Sequence, residues 1–109
     1  MNNVELALVR ELVNHPKWDY GQFNCLTRDG DEFLPDLSAP ATHGTILSAL
    51  YDAGVCWVEL GVSATVDGKP MHWSCTWEYT GLKRPSSAAS GDSVGEALGR
   101  ALLEVLGDG

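Results

Sequence analysis

The sequence "VCWVELGVSATVDGKPMHWSCTWEY", residues 55–79, carries the clearest structural pattern of this chain. Two runs with alternating apolar residues flank Asp67-Gly68, a dipeptide that favours the two-residue turns whose twist matches a β-hairpin. The pattern therefore predicts two antiparallel strands, over about residues 55–66 and 70–80, with the turn at residues 67–68.

A two-residue turn also fixes which residues of the two strands face each other. It places apolar side chains opposite apolar side chains on one face, and it leaves most polar side chains on the other. A slip of one residue would turn the polar set into the core, so the pattern itself specifies the register. The predicted apolar pairs are Cys56–Tyr79, Val58–Trp77, Leu60–Cys75, Val62–Trp73 and Ala64–Met71.

Apolar residues at helical spacing predict three helices around the hairpin. The clearest stripe belongs to the last one, where Ala97, Leu98, Ala101 and Leu102 repeat at the i, i+3, i+4 spacing of a buried helix face. Gly95 and Gly99 on the same helix are expected to allow a close approach to the sheet. The predicted spans are about residues 4–14, 40–53 and 94–106.

Capping residues mark the ends of these helices. Asn3 and Ser38 are the expected N-caps of the first two helices, because their side chains can accept a hydrogen bond from the first turn. Ser93 and Glu96 have the spacing of a capping box at the third. Gly54 follows the second helix at the position where a left-handed residue commonly ends a helix.

The remaining segments complete a single domain over residues 1–109, a length that fits one domain. A two-stranded ribbon is marginal on its own, so we expect a third short strand near residues 22–27 or a partner chain along an edge. Residues 81–92 are rich in Ser, Gly and Pro, and this composition predicts a mobile loop. Helices that precede and follow a hairpin indicate the α+β class.

Three parts of the chain resemble a known family. The parts are "FLPDLSAPATHGTILSAL", the Trp-bearing hairpin and "SVGEALGRALLEVL", which together span about residues 33–106. They resemble the small phage proteins of the phage ABA sandwich domain family. The resemblance implies a small layered α/β/α domain, a phage or prophage origin and a cover over the second face of the sheet. It implies no shared catalytic residues.

The net charge of −8, from 15 acidic and 7 basic residues, bears on the class of ligand. Direct binding of nucleic acid is not expected, because phosphate binding needs a basic surface. An acidic surface can instead dock on a basic protein, or it can simply keep a small protein soluble. No run of about 18 apolar residues predicts a membrane span, and the N-terminal residues lack the basic region of a signal peptide. The expected location is the host cytoplasm.

Residues that could carry chemistry do not converge in the predicted hairpin. Cys56 and Cys75 share a face but are out of register. Their thiols are therefore too far apart to bind one zinc ion, since each zinc–sulfur distance must be about 2.3 Å. Cys75 faces the core and His72 faces away, so the two cannot form a nucleophile and base pair. We therefore expect no metal, no cofactor and no enzymatic activity.

Two surfaces are candidates for binding. The first is the polar face of the hairpin, with Trp57, Glu59, His72, Thr76 and Glu78. Trp57 is the decisive residue there: it is either an exposed binding hot spot or covered by a helix or by residues 15–37. The second is a cluster of carboxylates at a turn, which is an acidic docking patch, an opportunistic cation site or a solvated turn. Its members are Asp29, Asp31, Glu32 and Asp36.

These observations lead to three functional hypotheses. The favoured one is a non-enzymatic phage accessory protein that binds and inhibits a host defence or regulatory complex, as anti-CRISPR proteins do. The second is a sponge that sequesters a nucleotide immune signal in a pocket at an interface of a homo-oligomer, with Arg28, Lys83, Arg84 or Arg100 as donors. The third is a structural or morphogenetic phage component.

Overall fold

The computed structural model describes residues 2–17, 26–29, 32–62, 72–79 and 87–108. In these ranges helices and antiparallel strands combine, which confirms the α+β class. The elements in chain order are α1 (Asn3–Val13), β1 (Leu26–Asp29), β2 (Glu32–Pro35), α2 (Pro40–Asp52), β3 (Val55–Val62), β4 (Trp73–Tyr79), β5 (Ser87–Gly91) and α3 (Val94–Asp108).

The central sheet has the order β3–β4–β5, and both pairings are antiparallel. The predicted register between the first two strands is confirmed by three apolar pairs. The sequence could specify it because only this register puts polar side chains together on one face. The confirmed pairs are Val58–Trp77, Leu60–Cys75 and Val62–Trp73. The pair Ala64–Met71 and the turn at Asp67-Gly68 lie outside the described residues.

The pair Cys56–Tyr79 was predicted wrongly. Tyr79 pairs with Val55 instead, and the register shifts between Val55 and Trp57, as in a β-bulge. The extra residue of the bulge is Cys56, which is exposed rather than part of the core. The bulge shifts only the pairing of Val55, and the alternation from Trp57 onwards is intact, so the alternation could not reveal it.

The strand that completes the sheet is β5, which lies in the segment predicted to be a mobile loop. Residues 87–91 pair with β4 from Ser87 opposite Trp77 to Gly91 opposite Trp73. The loop prediction is therefore wrong for these residues, and residues 81–86 lie outside the described ranges. The described part of the strand predicted near residues 22–27 does not join this sheet. Leu26 and Thr27 belong to β1, which pairs with β2 in a separate hairpin, and residues 22–25 are not described.

The three helix spans are confirmed within two residues, but two caps differ from the prediction. Asn2 rather than Asn3 caps α1, and its side chain and that of Glu5 form a reciprocal capping box. Ala39 rather than Ser38 is the N-cap of α2, because the Ser38 hydroxyl donates to Asp36 instead. Gly54 follows α2 with a φ of 101°, a left-handed conformation that strains any residue with a Cβ.

The hydrophobic core lies between the sheet and α3. α3 packs against β4 and β5, and α1 and α2 each pack against α3. Trp77 and Cys75 are buried under it, whereas Leu60 and Val62 on the same sheet face are 38% and 47% exposed. The prediction that both belong to the core is therefore wrong, because α3 covers β4 and β5 and not the far end of β3.

Gly95 allows the closest approach in the core, although not to the sheet as predicted. A Cβ built on this residue would lie 1.9 Å from the carbonyl oxygen of Leu37, in the segment that leads into α2. Gly99 similarly faces Leu8 of α1. The two glycines therefore bring the other helical segments, rather than the sheet, against α3.

Candidate functional site

The second face of the central sheet is open, and it carries the residues predicted to form the binding surface. Trp57 lies opposite Glu78, and Glu59 lies opposite Thr76, so these four residues occupy adjacent positions on neighbouring strands. The Trp57 side chain is half exposed, and both glutamates are exposed. Among the described residues no helix or strand buries this face, so the cover implied by the family resemblance is not seen there.

The strands hold these side chains on one surface through backbone contacts. The Thr76 hydroxyl lies 3.5 Å from the carbonyl oxygen of Glu59, and the Cys56 thiol lies 3.5 Å from that of Glu78. Successive residues of a strand point to opposite faces, so Trp57 and Glu59 point away from α3 while Val58 points towards it. The surface is thus built on paired strands rather than on a loop.

His72 extends the surface towards β5. Its Nδ1 atom lies 3.4 Å from an Asp92 carboxylate oxygen and 3.4 Å from the carbonyl oxygen of Gly91. Both side chains are exposed, so an ion pair between them is worth little in stability. The structure therefore places His72 at the opposite end of the face from Trp57. It lies beside the carboxylate of Asp92, which the predicted surface did not include.

The prediction from the sequence did not include the part of this face that β5 contributes. Ala88 lies opposite Thr76, and Ser90 lies opposite Ser74, and all but Thr76 are exposed. No hydropathy contrast could identify the strand, because Ser, Ala and Gly differ little in hydrophobicity. The small side chains of Ala88 and Ser90 extend this face across β5, two strands away from Trp57.

The charge of this face is negative. Its ionisable side chains within the described residues are the carboxylates of Glu59, Glu78 and Asp92 and the imidazole of His72. Arg100 reaches the edge of β5 from α3, where its guanidinium donates to the carbonyl oxygen of Ser90 at 3.4 Å. It is also 2.7 Å from the buried carboxylate of Glu96, so its charge is already compensated.

The pairing of Arg100 with Glu96 bears on the nucleotide-sponge hypothesis. A guanidinium held by a carboxylate and a carbonyl oxygen is a poor additional donor for a phosphate. The side chain of Arg28 and residues Lys83 and Arg84 lie outside what the structure describes. No observation in the described residues therefore favours a nucleotide site.

The predicted acidic docking patch is only partly within the described residues. Asp29 and Glu32 are paired positions at the end of the β1–β2 hairpin, and Asp31 lies outside. Asp36 follows β2 and accepts hydrogen bonds from the hydroxyl and the backbone N–H of Ser38. These two bonds lower the pKa of Asp36 below its usual value, because they stabilise the carboxylate. Asp36 thus has a structural role at the entry to α2.

The two described thiols lie in different environments. Cys75 is fully buried under α3, and burial raises its pKa from 9.0 to about 11. A thiol with a raised pKa is a poor nucleophile and metal ligand at neutral pH. Cys56 is exposed in the bulge. Within the described ranges, no group of three or more His, Cys, Asp or Glu side chains converges to hold a metal ion.

A second concave surface lies between α1 and α3. It is an open groove of about 580 Å³, with Val4 and Leu103 among its apolar walls and Glu11 and Glu104 among its polar ones. Its lining also includes Asn3, Arg100 and the buried Leu8. The surface of the groove is mostly apolar, so it offers contact to an apolar group.

Comparisons with known proteins add no neighbour to this description: no family model, no curated protein and no solved structure matches the chain. Among the described residues, no helix is long and apolar enough to cross a membrane. The case for a function therefore depends on the open face of the sheet.

Proposed function

We propose that this protein acts by binding a basic surface of another protein through the open face of its sheet, and not by catalysis. The observation that carries the proposal is Trp57, a half-exposed indole with the carboxylates of Glu59 and Glu78 at adjacent positions. Tryptophan is enriched at the hot spots of protein interfaces. Carboxylates around it favour a partner rich in Lys and Arg, and cationic side chains also stack on an indole ring.

The rigidity of the face supports this proposal. Its residues belong to three hydrogen-bonded strands, and α3 packs against two of them on the other side. A preorganised surface loses less conformational entropy on association than a loop does. The small side chains of Ser74, Ala88 and Ser90 leave room on the β4 and β5 part of this face for a partner to approach closely.

The more specific form of the proposal is inhibition of a host defence or regulatory complex, in the manner of an anti-CRISPR protein. The net charge of −8 supports it, because an acidic protein can occupy the basic channel in which such complexes hold nucleic acid. The resemblance to phage ABA sandwich proteins supports a phage origin and an action in the cytoplasm of the host cell.

The proposal is tested with purified host complexes that bind nucleic acid through a basic channel. The measurement is the concentration of this protein that displaces labelled nucleic acid from each complex. For a complex that it inhibits, we expect Trp57→Ala to raise that concentration about 30-fold, which corresponds to about 2 kcal/mol for a hot spot. Rising NaCl should weaken inhibition, because the attraction is between opposite charges.

Tyr51→Ala is the matched control, because Tyr51 is an exposed aromatic residue on α2. It should leave inhibition unchanged. Glu59→Lys reverses a charge on the proposed surface and, like Trp57→Ala, should weaken inhibition. Equal inhibition by the wild type and both of these variants would contradict the proposed docking face, and displacement from none of the complexes would contradict the inhibitor function.

A further inference from the structure

The two outer edges of the central sheet differ in how they are protected. β5 is five residues long, and the carbonyl oxygen of Ser90 accepts a hydrogen bond from Arg100. β3 is eight residues long and contains neither Lys nor Pro, and in the part of the chain that the structure describes no strand pairs with its outer edge. Proteins usually shield such edges, because their unpaired N–H and C=O groups can pair with another strand.

The side chains near the same edge are also incompletely buried. Leu60 and Val62 point to the face that α3 covers elsewhere, yet they are 38% and 47% exposed. Apolar side chains beyond the edge of the covering helix can be buried by the apolar side chains of a strand that pairs with their own strand. An unpaired edge and an uncovered apolar row therefore occur together on one strand.

We propose that β3 pairs with β3 of a second copy of this chain, antiparallel and centred on Leu60, to form a continuous six-stranded sheet. A two-fold axis at Leu60 places Leu60 opposite its own copy and Val58 opposite Val62 of the second copy. Both helical layers then lie on the same side of the joined sheet, and the apolar rows of the two copies meet.

Charge selects this register over its neighbour. Centred on Leu60, the pairing sets Glu59 opposite Gly61 of the second copy, so no carboxylate faces another. Centred on Glu59, it would set the two Glu59 side chains directly opposite each other, which destabilises an antiparallel pair. The bulge at Cys56 disrupts the ladder only beyond Val58, outside the five residues that this pairing uses.

The inference does not rest on the proposed docking function. The polar faces of the two copies remain open side by side in the joined sheet, and the two interactions respond oppositely to salt. Self-association brings together two chains of net charge −8, so NaCl should strengthen it. Docking on a basic partner should weaken under the same conditions.

The test is analytical ultracentrifugation of the full chain, in the wild type and in two variants with a matched change. Val62→Lys puts a charge at the proposed interface, and Val4→Lys puts one at a similarly exposed valine on α1. We expect a wild-type dimer, a dissociation constant raised at least about tenfold by Val62→Lys, and no change with Val4→Lys.

A measurement without a substitution guards against a variant that fails to fold. In the wild type, some backbone N–H groups of residues 58–62 point to the free edge of β3. Their hydrogen exchange should slow as the protein concentration rises. A wild-type monomer at every concentration up to about 1 mM would overturn the proposal. So would a dimer that Val4→Lys dissociates and Val62→Lys does not, because the contact would then lie in the groove between α1 and α3.

Discussion

At the scale of single residues, Gly95 is the position where the structure reverses the usual effect of a glycine in a helix. Alanine normally stabilises a helix by about 1 kcal/mol relative to glycine. A Cβ at residue 95 would lie 1.9 Å from the carbonyl oxygen of Leu37, so either the backbone before α2 or α3 itself must move. Because overpacking of this kind costs about 1–3 kcal/mol, we expect Gly95→Ala to lower the free energy of unfolding by about 2 kcal/mol.

Gly44 supplies the control for this prediction, because it lies inside α2 and a Cβ built on it meets no atom within 4 Å. Gly44→Ala should raise the free energy of unfolding by about 0.5–1 kcal/mol. Urea denaturation of both variants measures the two effects. A stabilising Gly95→Ala would show that Leu37 does not pack on α3 in this way.

Cys75 gives the stability of the protein a predictable dependence on pH. Its pKa is about 11 in the folded chain and near 9.0 when the thiol is solvated. Above pH 9.0 the unfolded chain therefore loses this proton while the folded chain keeps it, and stability falls until the pH passes about 11. Below pH 9.0 the thiol is protonated in both states, so its contribution is fully present.

Cys75→Ala removes this titration and leaves the other groups of the protein in place. The wild type should be more stable than the variant at pH 8, because the substitution leaves a cavity under α3. The difference between their free energies of unfolding should shrink as the pH rises from 9 to 11. Urea denaturation across this range measures it, and a difference that stays constant with pH would mean that the Cys75 thiol is solvated in the folded chain.

At the scale of secondary structure, substitutions on the two faces of β5 test whether these residues form a strand. Ala89 is buried opposite Cys75, whereas Ala88 is exposed opposite Thr76. A carboxylate at residue 89 would be buried without a partner, so we expect Ala89→Asp to cost about 3 kcal/mol or more. Ala88→Asp should change the free energy of unfolding by less than about 0.5 kcal/mol.

The comparison of these two variants separates a strand from a loop. Thermal or urea denaturation supplies the measurement. If residues 87–91 were a solvated loop, both substitutions would be nearly neutral, and the two variants would unfold together with the wild type. The alternation of large and small effects between adjacent residues is a property of strands that a loop does not share.

The same elements show what the sequence could specify and what it could not. The register between β3 and β4 was predictable, because a slip would bury Glu59, Thr76 and Glu78. The face that brings Trp57, Glu59, Thr76 and Glu78 together was predictable for the same reason. The bulge at Cys56 was not, since it shifts only the pairing of Val55 and leaves the alternation from Trp57 onwards intact.

The third strand and the exposure of β3 depend on tertiary structure rather than on local pattern. Ser87–Gly91 holds only Ser, Ala and Gly, whose small side chains give neither strand propensity nor alternation. Leu60 and Val62 continue the apolar row of the hairpin, and only the placement of α3 over β4 and β5 decides that they stay exposed. The open second face likewise depends on where the helices pack.

At the scale of the whole molecule, the net charge of −8 should make stability depend on ionic strength. The sequence holds 15 carboxylate side chains against 7 cationic ones, and this excess of negative charge repels itself within the compact chain. Added salt screens this repulsion over a Debye length of about 10 Å at 0.1 M. We therefore expect the unfolding temperature at pH 7 to rise by about 2–5 °C between low salt and 0.5 M NaCl.

The pH identifies the origin of this effect. Near pH 4.6 the sequence carries no net charge, so the rise with NaCl should disappear if it comes from self-repulsion. Differential scanning calorimetry at both pH values measures the effect. Repeating it at two protein concentrations separates repulsion within one chain from salt-dependent self-association, because only self-association makes the unfolding temperature depend on concentration. A fall in the unfolding temperature with salt at pH 7 would instead mean that attractive ion pairs dominate the electrostatics of the folded chain.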